Sequence, residues 1–483
     1  MFPSSRRIAA VLVASMPTGG SATAAVADTA DIAVRPAAVC RSTRTHSPRF
    51  DAARGERIRS IVRKLVDRGA APGAVIRIEQ RGTTVLNFSY GLADREKNRP
   101  MQGEALFRLY SMTKPITSVA AMRLIERGEL RLNDPVARYL PEFAQARVYG
   151  GDGVPALPLD RPVTVKDLLT HGAGLTYRTD PSAVGKIYAI RGIPAGPGVD
   201  AAPTDGSMPV TSLAELAQRV ANTPLASQPG AAWTYGNGTD VLGYLLERVT
   251  GKPLQVVLQE EVLRPVRMRS TWFAVPASEA SRLTAAYLVP APGAGGAVLK
   301  ASDIDALIAP KMSLIDPSET SIFAKPPAIR YAGAGLVGSA ADYLRFTQML
   351  RQGGTIHGTR LLSSSQIDQM RSDQIEPAAR LSAATLGGLG FGYGFAVRTL
   401  PTAAEPPFPE CGYFWGGAAS TYFWVDPAGQ TSGVLMTQVF GGEVRSFWLA
   451  VMREIYGPST SGSGTSAGSP VRLSNRAAGL RRR

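Results

Sequence analysis

A serine and a lysine three residues apart are the first candidates for catalysis in this chain of 483 residues. Ser111-Met112-Thr113-Lys114 precedes a run of helix-forming residues, and Pro115 suits a first helical turn, where its missing N–H costs nothing. Because residues three apart share one face of a helix, Lys114 should lie beside the Ser111 hydroxyl. A helix amino terminus also presents free N–H groups and a partial positive charge, which favour a serine oxyanion. The pattern predicts a nucleophilic serine with a lysine partner.

Lys114 is expected to act as a base in this pair. Burial lowers the pKa of a lysine, and the positive end of a helix disfavours the protonated amine. A neutral amine can then take the serine proton. Taken alone, a serine at a helix start is better explained as an N-cap, so the assignment depends on the rest of the chain.

Other routes to a nucleophilic serine are weaker. Gly464-Thr465-Ser466-Ala467-Gly468 matches the G-x-S-x-G pattern, but it lies in a Ser- and Gly-rich tail without the strand and helix that this motif needs. Of the three histidines, His46 precedes the folded region and His357 lies in a Gly-rich turn. His171 follows a short helix, where a capping or structural role is the ordinary one. A Ser-His-Asp triad is therefore not expected.

Strands at both ends of the chain, with helices between them, are the elements that would position Ser111. The predicted end elements are a hairpin of residues 74–79 and 83–90, a hairpin of residues 413–425 and 431–439, and a helix over 444–456. Helix-start patterns follow Thr164 and Ser339 in the middle of the chain. We expect an α+β fold with one antiparallel sheet built from both termini and an inserted helical lobe. Residues 191–210 are expected to form a long surface loop.

Composition divides the chain into four parts. Residues 1–27 have the pattern of an export signal, with Arg6 and Arg7 before a short apolar run. A linker over 28–49, one folded domain over 50–456 and a disordered Ser/Gly/Arg-rich tail over 457–483 follow. Export would place the protein in the periplasm or outside the cell, and an uncleaved leader would leave it in the cytoplasm.

The formal net charge of +15 does not predict a nucleic-acid partner. Much of the excess lies in the two termini: residues 1–49 carry six arginines against two aspartates, and residues 457–483 carry five arginines and no acidic residue. Residues 50–456 contain no basic stripe interleaved with aromatic residues. No stretch reaches about 18 uninterrupted apolar residues, so stable membrane insertion is not expected. No feature assigns an oligomeric state.

The two cysteines, Cys40 and Cys411, fit no zinc-ligand spacing. They can pair in an oxidising compartment or remain thiols, and the sequence leaves both states open. The serine–lysine chemistry needs neither a metal nor an organic cofactor, and none is predicted.

Five segments in a fixed order resemble the serine β-lactamase and penicillin-binding superfamily, especially class C enzymes and family VIII carboxylesterases. Residues 107–140, FRLYSMTKPITSVAAMRLIERGELRLNDPVARYL, are similar to the family's S-x-x-K region. The remaining matches are LLTHGAGLTY at 168–177, PGAAWTYGNGTDVLGYLL at 229–246, residues 333–350, and GYFWGGAASTYFWVDP at 412–427. The resemblance implies a β-lactamase/transpeptidase-like fold and an acyl-enzyme on Ser111.

The resemblance also assigns a tyrosine and an asparagine to the site. The family's Tyr-x-Asn element falls on Tyr235-Gly236-Asn237. Tyr235 would relay the serine proton during acylation and activate water afterwards, with Lys114 as the cation that stabilises its phenolate. Asn237 would hydrogen-bond the acyl group or hold Lys114.

The strand that lines the site departs from the penicillin-recognising pattern. Those enzymes usually carry Lys-Thr-Gly, whereas this chain has Trp415-Gly416-Gly417-Ala418, as in family VIII esterases. Gly416 and Gly417 would allow close approach of an acyl substrate, and the N–H groups of Ala418 and Ser111 would form the oxyanion hole. Trp415 removes the cation that would pair with a substrate carboxylate and suits an uncharged acyl chain or an aromatic ester.

The sequence therefore predicts a metal-free carboxylesterase that acts on small-molecule esters, short-chain or aromatic, with amides as the related substrate class. A β-lactamase or D-alanyl-D-alanine carboxypeptidase is the nearest competing function, and the missing cation at Trp415 separates the two. An acyltransferase with the same acyl-enzyme is also compatible with these residues, as is a catalytically silent member that binds peptidoglycan. The intact set of Ser111, Lys114 and Tyr235 argues against the silent member.

Overall fold

The computed structural model describes residues 49–199, 202–289, 311–386, 388–398, 408–441 and 444–457. The predicted leader, nearly all of the predicted linker and the predicted tail lie outside these residues. The helices are α1 Ala52–Asp67, α2 Thr113–Glu126, α3 Val165–Thr170, α4 Ala183–Ile190, α5 Leu213–Ala221, α6 Gly238–Thr250, α7 Leu254–Leu258, α8 Ala340–Arg351, α9 Ser364–Met370 and α10 Val444–Tyr456. The strands are β1 Gly73–Gln80, β2 Thr83–Asp94, β3 Arg99–Pro100, β4 Leu106–Arg108, β5 Thr271–Trp272, β6 Ala286–Val289, β7 Ser313–Asp316, β8 Val337–Ser339, β9 Thr355–Ile356, β10 Thr359–Arg360, β11 Gly390–Phe391, β12 Ala396–Val397, β13 Tyr413–Gly417, β14 Thr421–Asp426, β15 Thr431–Met436 and β16 Val439–Gly441.

An antiparallel sheet of eight strands joins the two ends of the domain. Its order is β11-β12-β13-β14-β15-β1-β2-β3, so that β1 from the amino-terminal part pairs with β15 from the carboxyl-terminal part. Ile76 lies opposite Leu435 in this pairing. Both faces are covered, because α1 and α10 share one apolar cluster with the sheet and α8 packs on the other face. The predicted α+β fold with a sheet built from both termini is confirmed.

The strand predicted over residues 413–425 is two strands. β13 ends at Gly417 and β14 begins at Thr421, directly opposite it in the register. Ser420 adopts a positive φ of 59°, which closes a three-residue turn between them. The small residues of the sequence Gly-Gly-Ala-Ala-Ser make so tight a reversal possible. The second predicted hairpin is shorter than expected, because β16 leaves the sheet and pairs in parallel with β6.

The loop predicted at the surface over residues 191–210 lies there only in its second half. Residues 192–197 are buried, whereas residues 204–209 are exposed. Two contacts explain the burial: the Asn237 side chain donates to the carbonyl oxygen of Pro194 at 3.1 Å, and Gly196 packs close to Ala334. The first half of the loop is therefore part of the domain interior.

The helix that carries Lys114 runs through the core. Residues 112–122 are all buried, as is typical of a helix surrounded by other elements. The segment of residues 331–336 lies against its first turns. Thr117 donates its hydroxyl to the carbonyl oxygen of Ala332 at 2.7 Å, and the N–H of Leu336 donates to the hydroxyl of Thr113 at 3.2 Å. These bonds place a long-range backbone segment beside Lys114.

Three features bear on partners and cofactors. Within the described ranges, the helices are all too short or too polar to cross a lipid bilayer. The same residues contain no group of three or more His, Cys, Asp or Glu side chains that could hold a metal ion. Cys411 is disulfide-bonded, which decides the state of one of the two cysteines that the sequence left open.

Candidate active site

A sharp turn presents Ser111 at the head of α2. The residue before it, Tyr110, has a positive φ of 44°, which is uncommon for a bulky side chain and costs about 1–3 kcal/mol. Edge-to-face contacts with Phe323 and Phe440 hold the Tyr110 ring. Ser111 itself lies in a short 3₁₀ turn that runs into α2 at Thr113, and its side chain does not cap the helix. The strained turn supports a functional position for this serine.

Lys114 lies beside the serine as the spacing predicts. Its side chain is 0 % exposed, and its Nζ donates to three oxygens: Ser111 Oγ at 3.3 Å, the Tyr177 hydroxyl at 3.1 Å and the Gly333 carbonyl at 2.9 Å. An ammonium group has three donors and no acceptor, so three accepting oxygens match the protonated form. If the amine were neutral, the hydroxyl of Ser111 or of Tyr177 would have to donate a hydrogen bond to Nζ instead of accepting one from it.

The expectation that the pKa of Lys114 is lowered is wrong. Burial alone would lower the pKa of Lys114, but the oxygens of Tyr177 and Tyr235 and the carboxylate of Asp240 outweigh it and raise that pKa above its usual range. Sequence reasoning considered burial, the helix dipole and Tyr235, and it did not identify Tyr177 and Asp240 as further partners. The geometry favours Lys114 as a cation that stabilises negative charge on neighbouring oxygens.

Two tyrosines contact Lys114, and they do so differently. The amine lies over the face of the Tyr235 ring, 4.7 Å from its centroid, and donates a hydrogen bond to Tyr177. The Tyr235 hydroxyl is buried and has no hydrogen-bond partner of good geometry among the described residues. Burial raises the pKa of Tyr177 above its usual range, although Lys114 opposes this. Sequence reasoning missed Tyr177, although it is the last residue of the quoted segment LLTHGAGLTY.

A close backbone approach brings the two tyrosines together. A Cβ atom on Gly236 would lie 2.3 Å from the Leu175 carbonyl oxygen and 2.5 Å from Thr176 Cα, so only glycine fits there. The N–H of Asn237 donates to the Thr176 carbonyl at 3.3 Å. The rings of Tyr177 and Tyr235 are consequently 5.6 Å apart. The glycine between Tyr235 and Asn237 is thus a requirement of site assembly.

The ring of His171 packs against the ring of Tyr235. His171 ends α3 in a left-handed conformation with φ 60°, and its ring centroid is 4.5 Å from that of Tyr235. Burial and the charge of Lys114 hold the pKa of His171 well below its usual range. The side chain is therefore neutral and packed, in line with the structural role predicted for it.

Asn237 does not hold Lys114. Its Nδ2 donates to the Pro194 carbonyl and, at 3.2 Å, to Asp240, while the Lys114 amine bonds to other partners. The residue is fully buried at the start of α6. The Oδ1 atom of Asn237 is buried and has no hydrogen-bond partner among the described residues, and the predicted contact with the acyl group stays a prediction. Asn237 ties the buried loop of residues 192–197 to the carboxylate of Asp240.

The end of β13 packs against the backbone that precedes Ser111. A Cβ atom on Gly417 would lie 2.3 Å from the Leu109 carbonyl oxygen and 2.4 Å from Thr421 Oγ1, so this contact requires glycine. The next residue, Ala418, is buried and opens the turn to β14. The hydroxyl of Ser420 donates to the Val439 carbonyl at 2.8 Å and fixes the turn. The oxyanion hole formed by the N–H groups of Ala418 and Ser111 stays a prediction.

Trp415 lies on the same side of β13 as Gly417 and contacts the site. Its ring is 5.6 Å from that of Tyr235 and makes an edge-to-face contact with Phe391 at 5.2 Å. The residue is 8 % exposed, and its indole nitrogen has no partner among the described residues. At this position of β13, an aromatic side chain instead of a cation therefore lies beside Tyr235.

Gly416 faces away from the site, contrary to the expectation. Successive residues of a strand point to opposite faces, and a Cβ atom on Gly416 would meet the Tyr422 ring at 2.9 Å. The Tyr422 ring stacks on Trp448 of α10, on the far side of the sheet. Gly416 is required by that packing, and its role beside the substrate stays a prediction.

Known proteins share this fold and much of this sequence. Residues 58–455 match the family model described as Beta-lactamase. The chain is 36 % identical over 378 residues to esterase EstB of Burkholderia gladioli, which covers 76 % of this chain and 85 % of that protein. Its fold is similar to that of EstCE1, a hydrolase with promiscuous acyltransferase activity, with a TM-score of 0.68, 30 % identity, and coverage of 84 % of this chain and 99 % of that one.

A family VIII carboxylesterase structure has the same fold. It is 20 % identical, its TM-score is 0.58, and the match covers 85 % of this chain and 98 % of that one. The family match and the esterase relatives confirm the superfamily that the sequence motifs indicated. This chain belongs to the beta-lactamase family and is a serine hydrolase.

Proposed function

We propose that the protein is a carboxylesterase that hydrolyses uncharged short-chain or aromatic esters through an acyl-enzyme on Ser111. The strained turn at Tyr110 and the adjacent Lys114 support Ser111 as the nucleophile. The similarity to esterase EstB over most of both chains supports the reaction class. The Gly464–Gly468 match in the tail has no part in this proposal.

The proton relay uses a tyrosine, since the raised pKa of Lys114 favours its protonated form. Ser111 Oγ attacks the ester carbonyl carbon while its proton passes to the phenolate oxygen of Tyr235, which Lys114 stabilises. The carbonyl electrons move onto the oxygen, which the N–H groups of Ser111 and Ala418 stabilise. When the carbon–oxygen bond to the alcohol breaks, Tyr235 returns the proton to the leaving alkoxide. Water repeats these steps on the acyl-enzyme and releases the acid.

The observation that carries the choice of an ester over a β-lactam is Trp415. A buried indole occupies the strand position beside Tyr235 where a cation would pair with the carboxylate of a penicillin or a peptide. Desolvating an unpaired carboxylate against an indole is unfavourable, whereas an uncharged ester loses nothing there. Aromatic walls also suit apolar acyl groups.

One comparison tests the proposal. Purified wild type and Ser111→Ala are assayed with p-nitrophenyl butyrate, a chromogenic cephalosporin and a D-Ala-D-Ala peptide, and a fluorophosphonate probe is followed by intact mass. We expect ester hydrolysis and stoichiometric labelling in the wild type only. Wild-type preference for the cephalosporin or the peptide would contradict the esterase assignment, and absence of labelling would favour a catalytically silent member.

The same proposal places the protein in the periplasm or outside the cell. The signal-like pattern of residues 1–27 and the disulfide-bonded Cys411 support an oxidising compartment. Amino-terminal sequencing of protein from periplasmic and cytoplasmic fractions tests it. Cytoplasmic protein that retains residues 1–27 would contradict export.

A further inference from the structure

A buried carboxylate outside the proposed reaction lies behind Lys114. Asp240, on α6, is 1 % exposed. The N–H of Gly333 donates to its Oδ1 at 2.9 Å, and the side chain of Asn237 donates to its Oδ2 at 3.2 Å. In both bonds the carboxylate accepts, which suits its ionised form. A carboxylate held so far from solvent needs a positive partner.

Gly333 joins this carboxylate to Lys114. Its N–H bonds to Asp240, and its carbonyl oxygen accepts from Lys114 Nζ at 2.9 Å. A Cβ atom on Gly333 would lie 3.1 Å from Nζ and 3.4 Å from each Asp240 oxygen. The two charges therefore face each other across a space that a single methyl group would fill. The absence of a side chain at Gly333 is what lets them approach.

Asp240 is the one carboxyl group among the titratable groups that act on Lys114 in the described residues. The other groups are the phenols of Tyr177 and Tyr235. His171 is close enough for the charge of Lys114 to lower the pKa of its ring, which is neutral. An isolated buried ammonium costs several kcal/mol, so its partners decide whether it stays protonated. The oxygens of Tyr177 and Tyr235 favour the protonated amine, and the carboxylate of Asp240 adds a negative charge that is linked to Nζ through the Gly333 peptide.

We propose that Asp240 is a positioning residue for the proposed hydrolysis: acting through Gly333, it keeps Lys114 protonated and holds Nζ within reach of Ser111 and the two tyrosines. Asn237 supports Asp240 in this role, which gives the asparagine of the Tyr-x-Asn element a task remote from substrate. The proposal rests on the proposed function, because it assumes that Lys114 acts as a cation in acylation.

The test replaces Asp240 with asparagine, which keeps the size and removes the charge. Asp342→Asn is the matched control, since Asp342 is a buried carboxylate on α8 that accepts from the N–H of Ser270 and the hydroxyl of Thr271. Both variants should lose thermal stability. Per folded molecule, Asp240→Asn should react with a fluorophosphonate at least about tenfold more slowly, and Asp342→Asn at the wild-type rate.

A pH profile separates positioning from a merely structural effect. Removal of the carboxylate lowers the pKa of Lys114, so the ammonium is lost at a lower pH. The basic limb of kcat/KM for p-nitrophenyl butyrate should therefore move to lower pH in Asp240→Asn and stay in place in Asp342→Asn. Unchanged labelling and an unchanged profile in folded Asp240→Asn would overturn the proposal, as would equal losses in both variants.

A second pair of variants covers the case in which Asp240→Asn does not fold. Gly333→Ala places a methyl group 3.1 Å from Nζ, whereas Gly335→Ala, in the same segment, introduces tighter crowding at 2.8 Å from the Phe273 ring and from the Tyr331 carbonyl oxygen. Slower labelling per folded molecule confined to Gly333→Ala supports the proposal, and equal rates in the two contradict it. If the wild type neither labels nor hydrolyses esters, the proposed function itself is contradicted. The variant comparisons test only the role of Asp240, so the two failures are distinguishable.

Discussion

Lys114 donates a hydrogen bond to the hydroxyl of Tyr177 at 3.1 Å, while the tyrosine of the Tyr-x-Asn element, Tyr235, presents its ring face to the same amine. Two phenols therefore share one cation. The one that accepts the hydrogen bond is the one that motif comparison did not select. This division of contacts makes the roles of the two tyrosines separable by substitution.

We expect Tyr235→Phe to lower kcat with p-nitrophenyl butyrate by about 10²- to 10⁴-fold, as loss of a proton-transfer group does. Tyr177→Phe removes one hydrogen bond to Lys114 and should cost about tenfold. Steady-state kinetics of both variants at one pH measures the ratio. The opposite order would make Tyr177 the proton relay.

Ser111→Ala should leave less than about a hundredth of wild-type turnover, because it removes the nucleophile. The melting temperature should change little, since the Ser111 side chain does not cap α2. Turnover and thermal unfolding are measured on the same preparation. Activity above that level in a folded variant would remove Ser111 as the nucleophile.

Trp415→Lys should narrow the preference for neutral esters over cephalosporins. In the wild type, the missing charge-assisted bond to a substrate carboxylate is worth about 1.5–3 kcal/mol, or roughly 10- to 150-fold in affinity. The variant adds the cation and removes apolar pocket wall, so kcat/KM should rise for the cephalosporin and fall for the ester. An unchanged ratio would show that Trp415 is a packing residue and that another part of the site sets specificity.

Gly417→Ala and Gly416→Ala form a second informative pair. Each added methyl group meets a close neighbour, the Leu109 carbonyl in one case and the Tyr422 ring in the other, so each variant should lose about 1–3 kcal/mol of unfolding free energy. Gly417→Ala also displaces the turn that carries Ala418. Activity per folded molecule should fall only in Gly417→Ala. A comparable fall in Gly416→Ala would show that Gly416 also contributes to the active site.

His171 should make the protein less stable in mild acid. Its folded-state pKa is held below the unfolded value near 6.5, so the unfolded chain binds the extra proton first. The free energy of unfolding should therefore decrease as pH falls below about 6.5, with a contribution from this group of up to about 1.4 kcal/mol per pH unit. His171→Asn keeps a side chain that tolerates the left-handed conformation. In urea unfolding from pH 7 to pH 5, the free energy of unfolding should depend less steeply on pH in the variant than in the wild type. Identical slopes would exclude His171 as a cause of the acid destabilisation.

Local pattern was enough to locate the serine–lysine pair and the architecture. The three-residue spacing of Ser111 and Lys114 is a property of one helix turn, so their contact at 3.3 Å follows from the sequence alone. The strands at the two chain ends likewise predicted a sheet that joins them, as in the pairing of β1 with β15. The capping pattern at Thr164 marked the start of α3 correctly, because capping bonds span only three residues.

Tertiary structure decided what surrounds this pair. Tyr177, Asp240 and Gly333 are 63, 126 and 219 positions from Lys114 along the chain. No local periodicity encodes such contacts. They reverse the protonation expected for Lys114, because a buried amine follows its partners as well as its burial. The turn at residues 418–420 in the same way divided one predicted strand into two and fixed which face of β13 meets the site. That choice depends on packing against α10 on one side and against Leu109 on the other, and only the folded chain brings those surfaces together.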